Sequence, residues 1–347
     1  MTALGSVSAS ATAPGTAPGR PGTRSAPSGL GRYLLGRLGQ AVLVLWAAYT
    51  VTFAVLWLLP SDPLALLLSA NNVEVDSLTS QQLAEAQARY GLDQPVWQQY
   101  ATMLGDALRG DFGTSITKGI PVTDLIAEKL PGTLQLSALA IGLALIGGTV
   151  LAYLAAYVRW APLKTVLGRL PSAGVAFPGF WIGLLLIQLF AFSLHLLPST
   201  GSATPASLIL PAVTMAIPTS AMLAQVLIRS FADVEAEAYI TTARAKGLSR
   251  GAVQWRHAFR NASLPTLTIL GILAGNTVTG AIVAETIFAR QGIGTLAQES
   301  VLTQDVPVVQ AIVVLAAVVF VGINLLVDLL YPLLDPRITS TPKASRP

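Results

Sequence analysis

Five long stretches without a single charged residue constrain this chain more than any other feature. They are Leu38–Leu59, Leu130–Val158, Leu170–Ile228, Asn261–Ala284 and Val306–Val327. A helix needs roughly 20 apolar residues to cross the hydrocarbon core of a bilayer, so each stretch is long enough for one crossing. Leu170–Ile228 is too long for one helix, and the turn-rich Leu197–Pro205 divides it. The sequence therefore predicts an all-α integral membrane protein with six transmembrane helices.

Low charge and the absence of cysteine limit the chemistry of the chain. Charged residues make up 11% of the 347 positions, against about 25% in soluble globular proteins. There is no cysteine and there are two histidines, His195 and His257, so thiolate sites are excluded and a multi-histidine centre is disfavoured. The Gly-Lys pair of a phosphate-binding P-loop is also missing. We expect no enzymatic activity, no metal and no cofactor in this chain.

The few charges are distributed unevenly between alternate loops. With both termini in the cytoplasm, the segments on that side carry 16 Lys and Arg against 4 Asp and Glu. These inner segments are 1–37, 159–169, 229–260 and 335–347. The outer segments, 61–129, 197–206 and 290–305, carry 5 basic and 11 acidic residues. Because Lys and Arg are retained on the cytoplasmic side, the asymmetry predicts this orientation. The net charge of +4 is the sum of basic inner segments and acidic outer segments. It therefore gives no reason to expect a nucleic-acid partner.

The boundaries of the membrane domain follow from composition. Residues 1–30 are mostly Ala, Thr, Ser, Pro and Gly, which bury too little apolar surface to fold, so we predict a disordered tail. The membrane domain is predicted over 31–338, and 339–347 form a second tail. The first apolar stretch is long and is followed by Pro60-Ser61-Asp62, which fits an uncleaved span better than a signal peptide.

The outer loop 61–129 is long enough to have secondary structure of its own. Two short helices are predicted in it, Ser80–Tyr90 and Pro95–Leu108, the second with apolar residues at helical spacing. A loop of this length is usually a docking surface or a lid, although a folded cap without a partner fits the same pattern.

Several spans contain prolines, which disturb a helix, and glycines, which allow two helices to pack closely. The prolines are Pro171, Pro178, Pro211 and Pro218, and the glycines are Gly147, Gly148, Gly271, Gly275 and Gly280. Prolines in a span require a neighbouring helix or a cavity to satisfy the freed carbonyl, and glycines allow close helix approach. This pattern fits a bundle that moves around a pathway, and it fits ordinary helix packing equally well.

Polar side chains within the spans are few. Those singled out are Gln188, His195, Gln225, Asn276, Glu285, Asn324 and Asp328. Buried polar groups in a membrane are costly and therefore mark candidate functional positions. We take Gln225, Asn276, Glu285 and Asn324 as candidate pathway residues. The scarcity of carboxylates at mid-membrane disfavours a proton pump or secondary transporter.

The inner loop 229–263 has the most ordered pattern. An Ala-rich stretch of high helix propensity ends at Lys246-Gly247, where glycine is free to adopt a positive φ. Ser249 is placed to cap a second helix that reaches about Arg260, before Leu264-Pro265 re-enters the membrane. Two short helices bent at a glycine form a rigid projection that a partner protein could grip.

Seven motifs occur in order between about residue 32 and residue 338. They are Leu59–Pro63, Tyr90–Pro95, Arg109–Ser115, Phe177–Gly183, Glu237–Pro265, Glu285–Phe288 and Leu330–Arg337. Together they resemble the permease subunits of ABC importers, in the branch that transports dipeptides, oligopeptides or nickel, and most closely its first, dipeptide-type permease. The resemblance implies the type I permease fold, with a helical outer loop between the first two spans.

The resemblance also implies partners. Two ATPase subunits, which bind ATP and Mg²⁺, would contact a coupling helix in the inner loop. Its residues here are Thr241, Thr242, Ala243, Arg244, Ala245, Lys246, Gly247, Leu248, Ser249 and Arg250. The general family motif begins Glu-Ala-Ala, whereas Thr241, Thr242 and Ala243 stand here, so the acidic residue is missing. A second permease of similar fold and an extracytoplasmic substrate-binding protein would complete an importer in a bacterial inner membrane.

The substrate and two other classes of protein stay open at this point. A nickel pathway would be expected to present imidazole or carboxylate ligands, and only His195 and Glu285 lie towards the outer face, so peptides are favoured over nickel. An ATP-independent channel or secondary transporter would differ in not requiring an ATPase. An intramembrane enzyme is disfavoured because the spans contain neither a nucleophile with a base nor a metal cluster.

Overall fold

The fold of the chain is that of a computed structural model. The structure describes residues 28–58, 79, 81–82, 85 and 93–334. Most of the predicted helix Ser80–Tyr90, the tail 339–347 and most of the tail 1–30 lie outside the described residues.

The described residues form helices and their connections, with one isolated bridge between Thr114 and Pro121. The α-helices are α1 (Ser28–Leu58), α2 (Val96–Leu108), α3 (Val122–Tyr157), α4 (Ala161–Ala176), α5 (Gly179–Leu186), α6 (Ile209–Glu235), α7 (Ala238–Ala245), α8 (Arg250–Ala252), α9 (Phe259–Ile287), α10 (Ile293–Leu302) and α11 (Val306–Leu334). Two π-helical segments, Ile187–Ser193 and Val253–Ala258, continue α5 and α8, and a 3₁₀ turn, Pro205–Leu208, precedes α6.

Five helices are long and apolar enough to cross a membrane, and a bent pair makes a sixth crossing if it counts as one span. The five are α1, α3, α6, α9 and α11, and the predicted second loop helix is present as α2. These helices confirm the predicted all-α membrane fold.

The third span, which Pro171 and Pro178 were predicted to disturb, is bent at Pro178. It consists of α4 followed by Gly179–Ser193, and the two parts meet at 101°. The break falls at Phe177, whose backbone is extended (φ −93°, ψ 135°), directly before Pro178. Proline disfavours the helical conformation of the residue before it, which explains why the helix ends there. Pro171, by contrast, lies inside α4 without ending it.

Several helices extend into segments that the charge pattern assigned to loops or to a tail. The outer loop was predicted to reach residue 129, but α3 begins at Val122 and contains Asp124 and Glu128 in its first two turns. The inner loop 159–169 is mostly helix α4, and α1 begins at Ser28, inside the predicted tail 1–30. The outer loop 290–305 contains α10. Charge-free stretches mark only the part of a helix that needs an apolar surrounding, and helices continue beyond it into the polar region.

The centre of the bundle is α6, which packs against α3, α4, α5 and α9. Small residues bring the helices close together. A Cβ atom on Gly148 of α3 would lie 2.8 Å from the Ser220 carbonyl oxygen and 2.8 Å from Leu223 Cδ2. Gly174 of α4 meets Ala221 in the same way. Without a hydrophobic difference between lipid and core, such close van der Waals contact stabilises helix association in membranes.

The bundle has two chemically different ends. One end, here called the basic end, contains the end of α3, the end of α6 and the segment 229–263. The acidic end contains the start of α3, the start of α6 and α10.

Candidate coupling segment and pathway residues

The segment 229–263, here called the coupling segment, is a helix, a tight turn and a second helix. Gly247 has φ +80°, its amide donates to the Arg244 carbonyl (3.0 Å), and the Leu248 amide donates to the Ala243 carbonyl (3.4 Å). This pair of bonds is the Schellman arrangement, in which a left-handed residue closes the end of a helix. The predicted end of the first helix at Gly247 is confirmed.

The second helix of the coupling segment begins as predicted and ends elsewhere. Ser249 Oγ accepts a hydrogen bond from the Ala252 amide (3.3 Å), so the predicted cap is present. The helix does not stop near Arg260. It continues through the π-helical Val253–Ala258 into α9, and Pro265 lies inside α9. A proline removes one hydrogen bond from a helix, and neighbouring helices keep the chain helical around it.

One face of α7 is anchored and the other is exposed. Ile240 and Ala243 are buried in a cluster with Phe231 and Val253. Of the ten predicted coupling residues, eight are exposed. These eight are Thr241, Thr242, Arg244, Ala245, Lys246, Gly247, Leu248 and Ser249. The exposed face therefore belongs to a helix whose position is determined by the core.

Two further contacts fix the coupling segment to the spans. The Tyr239 hydroxyl accepts a hydrogen bond from Asn261 Nδ2 (2.7 Å), which joins α7 to α9. Arg250, the last predicted coupling residue, is half-buried and lies 5.4 Å above the Tyr157 ring. The segment can therefore act as a rigid projection.

The four candidate pathway residues do not share one environment. Gln225 on α6 and Asn324 on α11 are half-buried, and Asn324 Nδ2 donates to the Phe320 carbonyl of its own helix (2.8 Å). Asn276 on α9 is exposed, whereas Glu285 on the same helix is 1% exposed. Only Asn276 presents its side chain on an open surface of the subunit.

Asn276 belongs to a row of exposed positions on α9, three or four residues apart. This row, here called the α9 stripe, consists of Ile272, Asn276, Thr279, Val283 and Thr286. The Thr279 and Thr286 hydroxyls donate to carbonyls one turn back, those of Gly275 (3.2 Å) and Ile282 (3.0 Å). Asn276 has no side-chain hydrogen bond within the described residues. The two threonines were not among the residues predicted from the sequence, although their helical spacing from Asn276 could have indicated them.

Glu285 joins three helices at the acidic end. Its Oε1 accepts from Thr133 Oγ1 of α3 (2.6 Å), and its Oε2 accepts from the Gly294 amide in the first turn of α10 (2.6 Å). The Ile293 amide donates to Thr133 Oγ1 (2.8 Å). Free amides and the helix dipole favour an anion at a helix start. A Cβ atom at Gly292 or Gly294 would overlap the carboxylate, so these two glycines are required by its position.

Arg290 and Asp305 fasten the remaining loops of the acidic end. Arg290 is 5% exposed, and its Nη1 donates to Ser207 Oγ (3.0 Å) and the Gly201 carbonyl (3.3 Å). Burial lowers the pKa of the Arg290 guanidinium below its ordinary value, and the neighbouring Glu285 carboxylate partly opposes this shift. Asp305 Oδ2 accepts from the hydroxyls of Ser115 (2.5 Å) and Thr117 (2.8 Å). Arg290 and Asp305 were not predicted as important from the sequence, because the groups that they bind are distant in sequence.

Metal-binding side chains are not clustered in the part of the chain that the structure describes. No group of three or more His, Asp or Glu residues there is placed to hold a metal ion.

Comparison with protein families covers nearly the whole chain. Residues 148–340 match the family described as the binding-protein-dependent transport system inner membrane component. Residues 30–137 match the N-terminal part of such membrane components.

Three relatives align with the chain over almost their full length. The chain is 35% identical to a probable peptide ABC transporter permease, y4tP, of Sinorhizobium fredii, over 89% of this chain and 99% of that protein. It is 36% identical to the glutathione transport system permease GsiC of Escherichia coli K12, over 88% and 98%. A putative peptide transport system permease of Brucella abortus is 36% identical over 88% and 98%.

Solved structures share the fold at low sequence identity. An inward-facing structure of the MetNI methionine ABC transporter has a TM-score of 0.54 and 14% identity, covering 61% of this chain and 97% of that chain. A second crystal form of the same transporter gives a TM-score of 0.52 and 13% identity, covering 60% and 96%. These matches show the helical permease fold.

We predict that Glu285→Gln destabilises the bundle. The carboxamide replaces one of the two acceptor oxygens with an amino group, so either the Gly294 amide faces another donor or the Thr133 hydroxyl loses its acceptor, and the free energy of unfolding should fall by about 2 kcal/mol. The measurement is the unfolding transition in detergent. The control is Glu299→Gln, whose exposed carboxylate pairs with Lys118 and should change stability by less than about 1 kcal/mol. Equal effects of the two substitutions would contradict the role assigned to Glu285.

Proposed function

Since the chain belongs to the family of binding-protein-dependent transport system inner membrane components, the permeases of ABC importers, we propose that it forms half of a translocation pathway for di- and oligopeptides. The observation that carries this proposal is the match over 88–89% of the chain to permeases named for peptide and glutathione transport. Glutathione is itself a tripeptide. The protein is a multi-pass component of the inner membrane, with both termini proposed to face the cytoplasm.

The energy for transport is proposed to enter at the predicted coupling helix, Thr241–Arg250. Two ATPase subunits would bind this stretch, whose side chains are mostly outside the core while Ile240 and Ala243 hold α7 in place. A ligand moves an equilibrium only if it binds two states with different affinity, and ATP in the partner subunits supplies that difference. A second permease and an extracytoplasmic binding protein would complete the importer, with the binding protein at the acidic end.

The pathway is proposed to run along the α9 stripe. An exposed asparagine within a span is unfavourable against lipid, so its face requires water, substrate or another polar surface. Asn276, Thr279 and Thr286 supply neutral donors and acceptors, which match the amide groups shared by all peptides. Gln225 and Asn324 stay predictions for this pathway. Glu285, whose two oxygens accept hydrogen bonds inside the subunit, is proposed to hold the acidic end together.

Uptake in a reconstituted system tests the substrate. Proteoliposomes that contain the complete transporter, with its co-purified ATPases, second permease and binding protein, should accumulate a labelled dipeptide or short oligopeptide only with ATP. Ni²⁺ in place of peptide serves as the competing arm. ATP-dependent accumulation of Ni²⁺ without peptide uptake would overturn the peptide assignment, and transport without ATP would overturn the importer assignment.

Cysteine labelling tests the α9 stripe, and the chain has no cysteine of its own to interfere. Val283 on the stripe and Val55 on α1 are each 54% exposed in the subunit and lie near the acidic ends of their helices. In the assembled transporter, Val283→Cys should react with a small cationic, membrane-impermeant thiosulfonate at least tenfold faster than Val55→Cys, because only the former would face water. Equal protection of both cysteines would place the stripe in lipid or in a closed interface.

Substitution at Gly247 tests the coupling segment. Gly247→Val forces a β-branched residue to φ +80°, which should distort the turn at a cost of about 1–3 kcal/mol. We expect membrane insertion and ATP hydrolysis to persist while uptake per ATP falls at least tenfold. Gly251→Val is the matched control, since Gly251 also has open space around it but is helical. Normal uptake by Gly247→Val would show that the turn is not part of the coupling path.

A further inference from the structure

The coupling segment is covalently continuous with only two of the spans, α6 before it and α9 after it. Its contacts with a third span, α3, are made by side chains. We infer that Arg250 and Gln254 are positioning residues that link the coupling segment to α3, so that movement of the segment also moves α3. This inference rests on the proposed function, because it concerns where the movement imposed by the ATPases goes.

The link consists of two hydrogen bonds to the end of α3. Arg250 Nη2 donates to the Ala156 carbonyl (3.2 Å), and Gln254 Nε2 donates to the Tyr153 carbonyl (3.1 Å). The two donors are four residues apart in one continuous helical stretch and therefore lie on the same face. Ala156 lies in the last turn of α3, where carbonyls have no partner within the helix and the negative end of the helix dipole favours a cation, so Arg250 completes this helix end. Tyr153 lies one turn earlier, and Gln254 adds a further hydrogen bond to its carbonyl.

Aromatic rings extend the link over two turns of α3. The Arg250 guanidinium lies over the Tyr157 ring. Trp255 meets Tyr153 edge-on, with 6.0 Å between ring centroids, and stacks on Phe259 of α9 at 4.9 Å. The rings of Trp255 and Phe259 thus join α9 to Tyr153. The Arg250 guanidinium contacts Tyr157, which lies one turn further along α3.

Buried packing joins the same elements. One apolar cluster contains Ala152 of α3, Leu223 and Leu227 of α6, Ile240 of α7 and Val253. Hydrophobic contact is non-directional, whereas hydrogen bonds have narrow distance and angle ranges. The two polar links therefore add directional contacts between α3 and the coupling segment that the apolar cluster does not supply.

Gln254 is the better residue for a test, because it lies outside the stretch proposed to contact the ATPases. Its side chain is 3% exposed, and its Oε1 accepts no hydrogen bond from the described residues. Gln254→Met keeps the length of the side chain and removes both the donor and the unpaired acceptor, so the effect on folding should be small. The control is Arg256→Met, two residues further along the same segment, where the side chain is exposed.

The experiment measures the movement of α3 and α6 separately in the complete transporter. In the cysteine-free chain, one pair of spin labels at positions 55 and 154 reports on α3, and a second pair at positions 55 and 233 reports on α6; all three positions are exposed. On addition of a non-hydrolysable ATP analogue, both distance distributions should shift in the parent and in Arg256→Met. In Gln254→Met the shift of the α6 pair should persist, and the shift of the α3 pair should fall by at least half.

Other outcomes separate the inference from the proposed function. A full shift of the α3 pair in Gln254→Met overturns the link, as does a loss of that shift in Arg256→Met. No shift of either pair in the parent overturns the proposed coupling by ATP and the link with it. As a second readout, uptake per ATP hydrolysed should fall at least fivefold in Gln254→Met and stay unchanged in Arg256→Met; equal ratios in the two variants contradict the inference.

Discussion

The requirement that a backbone in hydrocarbon satisfies its own hydrogen bonds governs the rest of this structure. Helices meet the requirement internally, so the difficulties are concentrated at helix ends and at breaks. The break at Phe177-Pro178, inside a charge-free stretch, and the irregular connection before α6, at the acidic end, are two such places. In the latter, the Gly201 amide donates to the Phe288 carbonyl (2.9 Å), and Arg290 donates to the Gly201 carbonyl. Irregular backbone persists here because neighbouring elements supply the partners.

The two ends of the bundle solve the same problem with opposite charges. At the acidic end, the Glu285 carboxylate accepts a bond from the amide of Gly294 at the start of α10. At the basic end, the Arg250 guanidinium donates to the carbonyl of Ala156 at the end of α3. Anions stabilise helix starts and cations stabilise helix ends, because free amides and free carbonyls carry opposite partial charges. In each case the charged residue comes from another helix, so completing a helix end also joins two helices.

This arrangement bears on how a subunit without catalytic groups can transmit work. If the proposed docking of ATPases on the coupling segment is correct, movement enters through an exposed face of α7 whose other face is buried with Phe231 and Val253. Covalent continuity carries it to α6 and α9, and the contacts of Arg250 and Gln254 would extend it to α3. The α9 stripe lies on one of the helices that such a movement reaches directly.

The sequence by itself determined the membrane class, the positions of five spans, the turn at Gly247 and the cap at Ser249. These depend on local properties: runs of apolar residues, the absence of a Cβ, and a hydroxyl next to a helix start. The sequence also identified the family through motifs in order. It did not determine where helices end outside the apolar runs, because polar residues are compatible with helix and loop alike. Only the tertiary structure decided that Phe177-Pro178 bends a span while Pro265 does not, and that Glu285 is enclosed while Asn276 is open. Those outcomes depend on which groups from distant parts of the chain, such as Thr133 beside Glu285, come within hydrogen-bonding distance.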